Sequence, residues 1–304
     1  MAQTMPIMVN QTIAMFLMMA VGIVLYKTKR LDNQGASQMA NVALYVAGPA
    51  ITISAFATTF DADKLIAGGV CMLLTWVFTL GSAAIAWLIY RDRQLISQLG
   101  IMISNMGFMG IPLVQAVLGD EYVFYISACI AAQIPITFTY GIWLASQDRA
   151  QVSPKRVLSN PAIIAVFVGV VLFLCSFELT GVSQAAVSGL SGLNTGLAMI
   201  VLGSYLAQAD LRSILRNKNL YLTHAVRLLV VPLAIVAILA VMPLSTPIKL
   251  TLLIGFAAPS GTVTAIFPQM FGKDYRFGAG LVSSSTLFSL LTMPIMLGIG
   301  LMVF

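Results

Sequence analysis

The chain has 304 residues, 59% of them hydrophobic and only 9% charged, against roughly 25% charged in an ordinary soluble domain. With a mean hydropathy of +0.96, this excludes a soluble globular protein and implies a polytopic membrane protein with almost no extramembrane mass. The formal charge of +6 invites a nucleic-acid reading, but the basic residues fall where membrane orientation needs them, so no nucleic-acid partner is expected.

Ten apolar spans follow one another with short connections: about Met5–Tyr26, Ser37–Phe60, Lys64–Tyr90, Leu95–Leu118, Tyr122–Ser146, Val157–Phe177, Val182–Ala207, Leu220–Met242, Lys249–Phe271 and Tyr275–Val303. Each reaches the ~20 residues a bilayer crossing needs. Met1 to Asn10 carries no basic run ahead of the first span, so no cleavable signal is expected. Alternate connections hold Lys27, Lys29 and Arg30; Arg91 and Arg93; Arg149, Lys155 and Arg156; Arg212, Arg216 and Lys218; and Lys273 and Arg276. With Arg227 in the early part of the eighth span, that side has 14 of the 16 basic residues, and Lys64 and Lys249 face the other. The positive-inside rule places the rich side in the cytoplasm and both termini outside. A multi-pass protein of the cell membrane is expected.

Two spans are built to break. The fourth contains Ser104-Asn105-Met106-Gly107-Phe108-Met109-Gly110-Ile111-Pro112. Its glycines lower helix propensity, and its proline lacks a backbone donor. The ninth contains Ala258-Pro259-Ser260-Gly261-Thr262. The first ends Gly119-Asp120-Glu121-Tyr122 and the second Gly272-Lys273-Asp274-Tyr275. A slide of 153 residues superposes these ends, setting Asn105 opposite Ala258 and Met106 opposite Pro259. Broken spans in matching positions of two halves are the sequence mark of a transport site. Five spans per half, an odd number, means the second half enters the membrane upside down. The expected fold is therefore all-α, with two inverted five-helix repeats at 1–146 and 157–304 and a cytoplasmic linker at 147–156.

Apart from Lys64 and Lys249 at the outer ends of their spans and Arg276 at the start of the tenth, the polar inventory within the spans is uncharged except for Arg227. Every Asp and Glu falls in a connection, and His224 lies near the cytoplasmic end of span eight, so a mid-membrane proton relay is disfavoured. Asn105, Ser104 and Gly107 at the first break, Pro259, Ser260, Gly261 and Thr262 at the second, and Gln133 in span five are the candidate substrate-binding residues. Asn41 and Asn194 lean towards helix packing. Arg227 reads as snorkelling to the cytoplasmic surface, with an anion-attracting inner vestibule as the alternative. Gly189, Gly192 and Gly196 read as close helix packing. Cys71, Cys129 and Cys175 read as small core residues without metal-ligand spacing.

These residues resemble a known family. Asn105-Met106-Gly107-Phe108-Met109-Gly110-Ile111-Pro112-Leu113 with Gly119 resembles the fourth-helix signature of the auxin efflux carriers, plant PIN-type proteins included. Pro259-Ser260-Gly261-Thr262 through Asp274, then Ser283-Ser284-Ser285-Thr286-Leu287 and Pro294, is similar to the ninth and tenth helices of prokaryotic members. Asn41 with Pro49, Gln133 and Arg227 fall where the family carries similar residues. The resemblance implies crossing broken helices four and nine, and an elevator-type carrier, often a homodimer, for organic anions such as malate, malonate or auxin. Two departures stand out: Ser104 replaces the proline that PIN-type carriers have before the crossover Asn, and the long loop between halves is missing. The expected function is a secondary carrier, not an enzyme, for a small carboxylate, with no cofactor. Coupling to Na+ or H+ is open, and a sodium-coupled carrier of the bile-acid type is the alternative.

Overall fold

The computed structural model describes residues 4–91, 93–208, 218–273 and 275–304. Arg212 and Arg216, used above to orient the chain, and Asp92, Asp210 and Asp274 lie outside the described residues. The described chain is helical throughout: α1 (Thr4–Lys27), α2 (Asn33–Phe56), α3 (Ala62–Tyr90), α4a (Leu95–Met102), α4b (Met106–Val117), α5 (Asp120–Ser146), α6 (Pro161–Leu174), α7 (Gly181–Gln208), α8 (Leu220–Ala240), α9a (Thr246–Ala257), α9b (Val263–Met270) and α10 (Tyr275–Val303). Among the described residues eight helical stretches are long and apolar enough to cross a membrane, and the two interrupted segments supply shorter apolar pieces.

Helix starts follow local chemistry. The Asp32 carboxylate accepts from Gly35 N–H at 2.7 Å, so α2 opens at Asn33, earlier than hydropathy alone suggests. Asp61 accepts from the N–H groups of Asp63 and Lys64 at the head of α3. Thr180 and Ser183 form a capping box at α7. Gly119 and Gly272, the residues that aligned the two halves, both take positive φ, 110° and 65°, and end α4b and α9b where a side chain would be strained. The polar 147–156 segment holds a short turn at Arg149–Gln151 and the start of a helical turn at Pro154–Leu158.

α1 lies along α7 and α6 against α2; α3 packs on α5 and α9b on α10. The α1–α7 contact is the closest: a Cβ on Gly203 would sit 2.0 Å from Met19 O, and one on Gly22 2.2 Å from Ile200 O. The glycines expected to pack closely are different ones, and here the expectation fails. Nothing comes within 4 Å of a Cβ on Gly189 or Gly196; Gly189 lies in the first part of α7, Gly181–Ser191, which buries none of its residues, and Gly196 is half-buried with open space beside it. Cys71 and Cys129 are core residues as expected, whereas Cys175 is exposed.

Among the described residues four π turns interrupt the α-helices: Ala43–Ala47, Met106–Gly110, Thr137–Gly141 and Val226–Val230. Three of them end two residues before a proline: Pro49, Pro112 and Pro232. A proline ring clashes with the carbonyl four residues earlier. That carbonyl lies inside the π turn in each case, and the wider turn gives it room. Two of these turns sit at the site described next.

Candidate functional site

The two interruptions meet. Ser104 and Ser260 form an isolated antiparallel bridge. Asn105 N–H donates to Pro259 C=O at 2.9 Å, and Gly261 N–H donates to Ile103 C=O at 2.9 Å. A local two-fold that exchanges Ser104 with Ser260 exchanges these two hydrogen bonds. Ser260 lies 156 positions after Ser104, so the register at the crossing differs by three residues from the slide of 153 that matches the helix ends. The segment between bridge and terminal glycine is three residues longer in the first half, and the π turn at Met106–Gly110 absorbs one of them.

Exposed backbone inside a bilayer needs partners, and the chain supplies them on both sides of the bridge. The Gln133 amide lies 3.2 Å from Ser104 O and 3.3 Å from Ser104 N. With its nitrogen towards the first and its oxygen towards the second, it closes both groups as a neighbouring strand would. Across the bridge, Ser260 N–H donates to Ser285 Oγ at 3.2 Å, and Ser260 Oγ donates to Gly100 O at 2.8 Å. Ser104, Gln133 and Ser260 therefore spend their polar atoms on the crossing itself. Gly261 also commits its N–H there and is buried.

Arg227 corrects the sequence reading. Snorkelling fails: the side chain is 0% exposed. Its Nη1 donates to Ile101 O at 3.2 Å and its Nη2 to Ala258 O at 2.7 Å. These carbonyls close the C-terminal ends of α4a and α9a. The π turn Val226–Val230 carries Arg227, and nothing in the local sequence foretold a contact made with two distant segments.

What stays open at the crossing is a set of donors. Asn105 is buried, and its Nδ2 has no hydrogen-bond partner; the same holds for Arg227 Nε. The first N–H groups of a helix have no intrahelical acceptor, here those of Met106, Gly107 and Phe108. Gly107 is half-buried, with open space where a Cβ would stand. Thr262 is half-buried at the head of α9b. Among the described residues no Asp or Glu is buried. Asn194 is buried in α7 with Nδ2 unpartnered, on the helix that packs against the Met106–Gly110 turn. Asn41 is exposed on α2.

Two further features lay beyond sequence reasoning. His224 is buried near the start of α8 and bonds Ser284 through Nε2 at 2.8 Å. A polar cavity of about 370 Å³ opens away from the crossing, lined by Ser54, Lys64, Gln115, Asp120, Glu121 and Ser188 among others. It lies where α2 and α4b end and α3 begins.

A bundle of apolar helices in which two interrupted segments cross and satisfy one another is the architecture of a membrane transport protein. A family model described as "Membrane transport protein" matches residues 7–157 and 148–297, and the chain belongs to this family, the auxin efflux carrier type. No curated protein matches the chain.

Proposed function

We propose that the protein is a secondary carrier for a small organic anion and that the crossing is its cargo site. One observation carries this reading: of the buried atoms left without partners there, Asn105 Nδ2 and Arg227 Nε are donors and Thr264 Oγ1 is a hydroxyl able to donate, beside a helix N-terminus with its positive partial charge. A carboxylate supplies the missing acceptors and a counter-charge. Asn105, Gly107 and Thr262 face it. Ser104, Gln133, Pro259, Ser260 and Gly261 hold the frame.

In this reading the ten spans form two inverted five-helix repeats, each ending in the helix that braces its own break, α5 through Gln133 and α10 through Ser285. The exchange of hydrogen bonds across the bridge supports that symmetry. α3, α4, α5, α8, α9 and α10 move as one body against α1, α2, α6 and α7. The basic connections face the cytoplasm of the cell, and the polar cavity near Lys64 is the outer approach. The halves α4a and α9b, eight residues each, lie on the cytoplasmic side and α9a, twelve residues, on the other. At 1.5 Å per residue, the cargo rests roughly 12 Å from the inner face and roughly 18 Å from the outer.

Counterflow of labelled carboxylates in proteoliposomes tests the proposal, preceded by a thermal-shift screen of mono- and dicarboxylates. A ligand at 100 times its Kd adds about 2.7 kcal/mol of stability. Asn105→Ala removes a hydrogen bond to a charged group, about 1.5–3 kcal/mol, so apparent affinity falls about tenfold or more. Asn105→Asp places a negative charge in the seat and abolishes binding. Unchanged affinity in both variants overturns the assignment.

A further inference from the structure

The crossing has two electrical ends. The N-termini of α4b and α9b are positive, and the C-termini of α4a and α9a carry negative partial charge on their last carbonyls. In transporters with interrupted helices, such carbonyl ends coordinate the driving cation. A hard monovalent ion needs oxygen ligands converging from both segments. Here the converging oxygens are Ile101 O and Ala258 O, and both already accept from one side chain, the Arg227 guanidinium. That group is fully buried, and among the described residues no buried carboxylate pairs with it. A lone buried charge is costly in a membrane interior unless something compensates it. The two carbonyl dipoles do so on one face.

We infer that Arg227 is the built-in cation of the crossing: a tethered guanidinium fills the seat that a dissolved alkali ion would take, and the protein binds and moves its cargo without sodium. The planar fork suits the task, because its two terminal nitrogens reach acceptors on separate segments at a fixed angle, which an ammonium does less well. The π turn ahead of Pro232 presents Arg227 at this place on α8. Arg227 is thus a positioning residue, since it ties the ends of α4a and α9a together through their carbonyls. The inference goes beyond the anion reading and does not need it, as the cation seat is defined by backbone oxygens alone.

The test begins without any cargo. The melting temperature of the purified wild-type protein is measured in sodium, potassium and N-methylglucamine chloride at equal ionic strength, and the three values are expected to coincide. A saturable rise specific to sodium overturns the inference. Arg227→Lys keeps the charge and is expected to remain indifferent to the salt. Arg227→Gln vacates the seat and leaves two carbonyls for a dissolved ion, so its melting temperature is expected to climb saturably with sodium. A folded Arg227→Gln protein with the same response to all three salts also overturns it. If that variant does not fold, the wild-type and Arg227→Lys measurements decide. A flux arm follows once a cargo is known. Replacing sodium by choline is expected to leave wild-type counterflow unchanged, and a fall of about tenfold, ~1.4 kcal/mol of coupling, overturns the inference. Failure of every carboxylate to bind would remove the anion reading and leave the cation measurements intact.

Discussion

Gln133→Leu separates a residue that braces the crossing from one that merely fills space. The Gln133 amide closes both backbone groups of Ser104, at 3.2 and 3.3 Å, and the residue is buried. Leucine has a similar volume and removes both partners at once. Each buried backbone group left unmatched costs about 1–3 kcal/mol, which for two groups gives about 2–6 kcal/mol. Polar contacts within membranes measure lower, averaging ~0.6 kcal/mol, because unfolded segments in lipid find other partners. Burying a leucine in place of an amide returns about 1 kcal/mol more. The return brings about 2–6 down to about 1–5 kcal/mol, and the lower membrane values favour the low end, a loss of about 1–3 kcal/mol. At about 2–4 °C per kcal/mol, the melting temperature in detergent falls by about 2–12 °C. Gln115→Leu is the control, since that amide bonds Asp120 Oδ1 at 2.8 Å in an exposed position, where a substitution moves stability by about 0.5 kcal/mol or less. If the two variants melt together, Gln133 does not brace the bridge, and its role has to be sought in the cargo.

The α1–α7 contact gives a pair of opposite signs. Gly203→Ala forces a Cβ to within 2.0 Å of Met19 O, so the helices part and stability falls by about 1–3 kcal/mol. Gly189→Ala meets open space and gains about 0.5–1 kcal/mol from helix propensity. Equal melting temperatures would refute the close approach. Orientation is read with the native cysteines: Cys175 is exposed while Cys71 and Cys129 are buried. A membrane-impermeant maleimide is expected to label intact cells through Cys175, and labelling only after permeabilisation reverses the proposed topology.

The sequence made the breaks and their pairing legible because both are local: glycine and proline inside an apolar run need no tertiary context. Gly119 and Gly272 were visible as matching ends for the same reason, and each turned out to sit at positive φ. The π turns were also within reach, since a proline six residues after the start of each turn at Ala43, Met106 and Val226 marks the carbonyl that must give way. Three things were not legible. The bridge register depends on how many residues each half spends between crossing and terminal glycine, which a match of the ends averages away. The contacts of Gly22 and Gly203 join segments far apart in the chain, while in the more suggestive Gly189-Gly192-Gly196 spacing no other helix comes within 4 Å of the Cβ positions. Arg227 stands seven residues into its span, where a long side chain can reach the surface. Only the position of Ile101 O and Ala258 O explains why it turns inward instead.

The way the crossing satisfies itself bears on how it moves. Its backbone groups are held by Gln133 from α5 and Ser285 from α10, and its C-terminal carbonyls by Arg227 from α8. Every one of these partners belongs to the group of helices that contains the crossing. Alternating access by local rewinding of α4 or α9 would break such bonds inside the lipid, at a cost paid on every cycle. Displacement of the whole group against α1, α2, α6 and α7 breaks none of them. The close α1–α7 contact keeps the opposing surface stiff, because Gly22 and Gly203 bring backbone against backbone there. Because the polar bonds of the crossing itself lie within one group, they support the rigid-body displacement proposed above over local refolding. The Thr52–Ser127 and Ser283–Tyr205 hydrogen bonds, which join the two groups, would have to be exchanged as they slide.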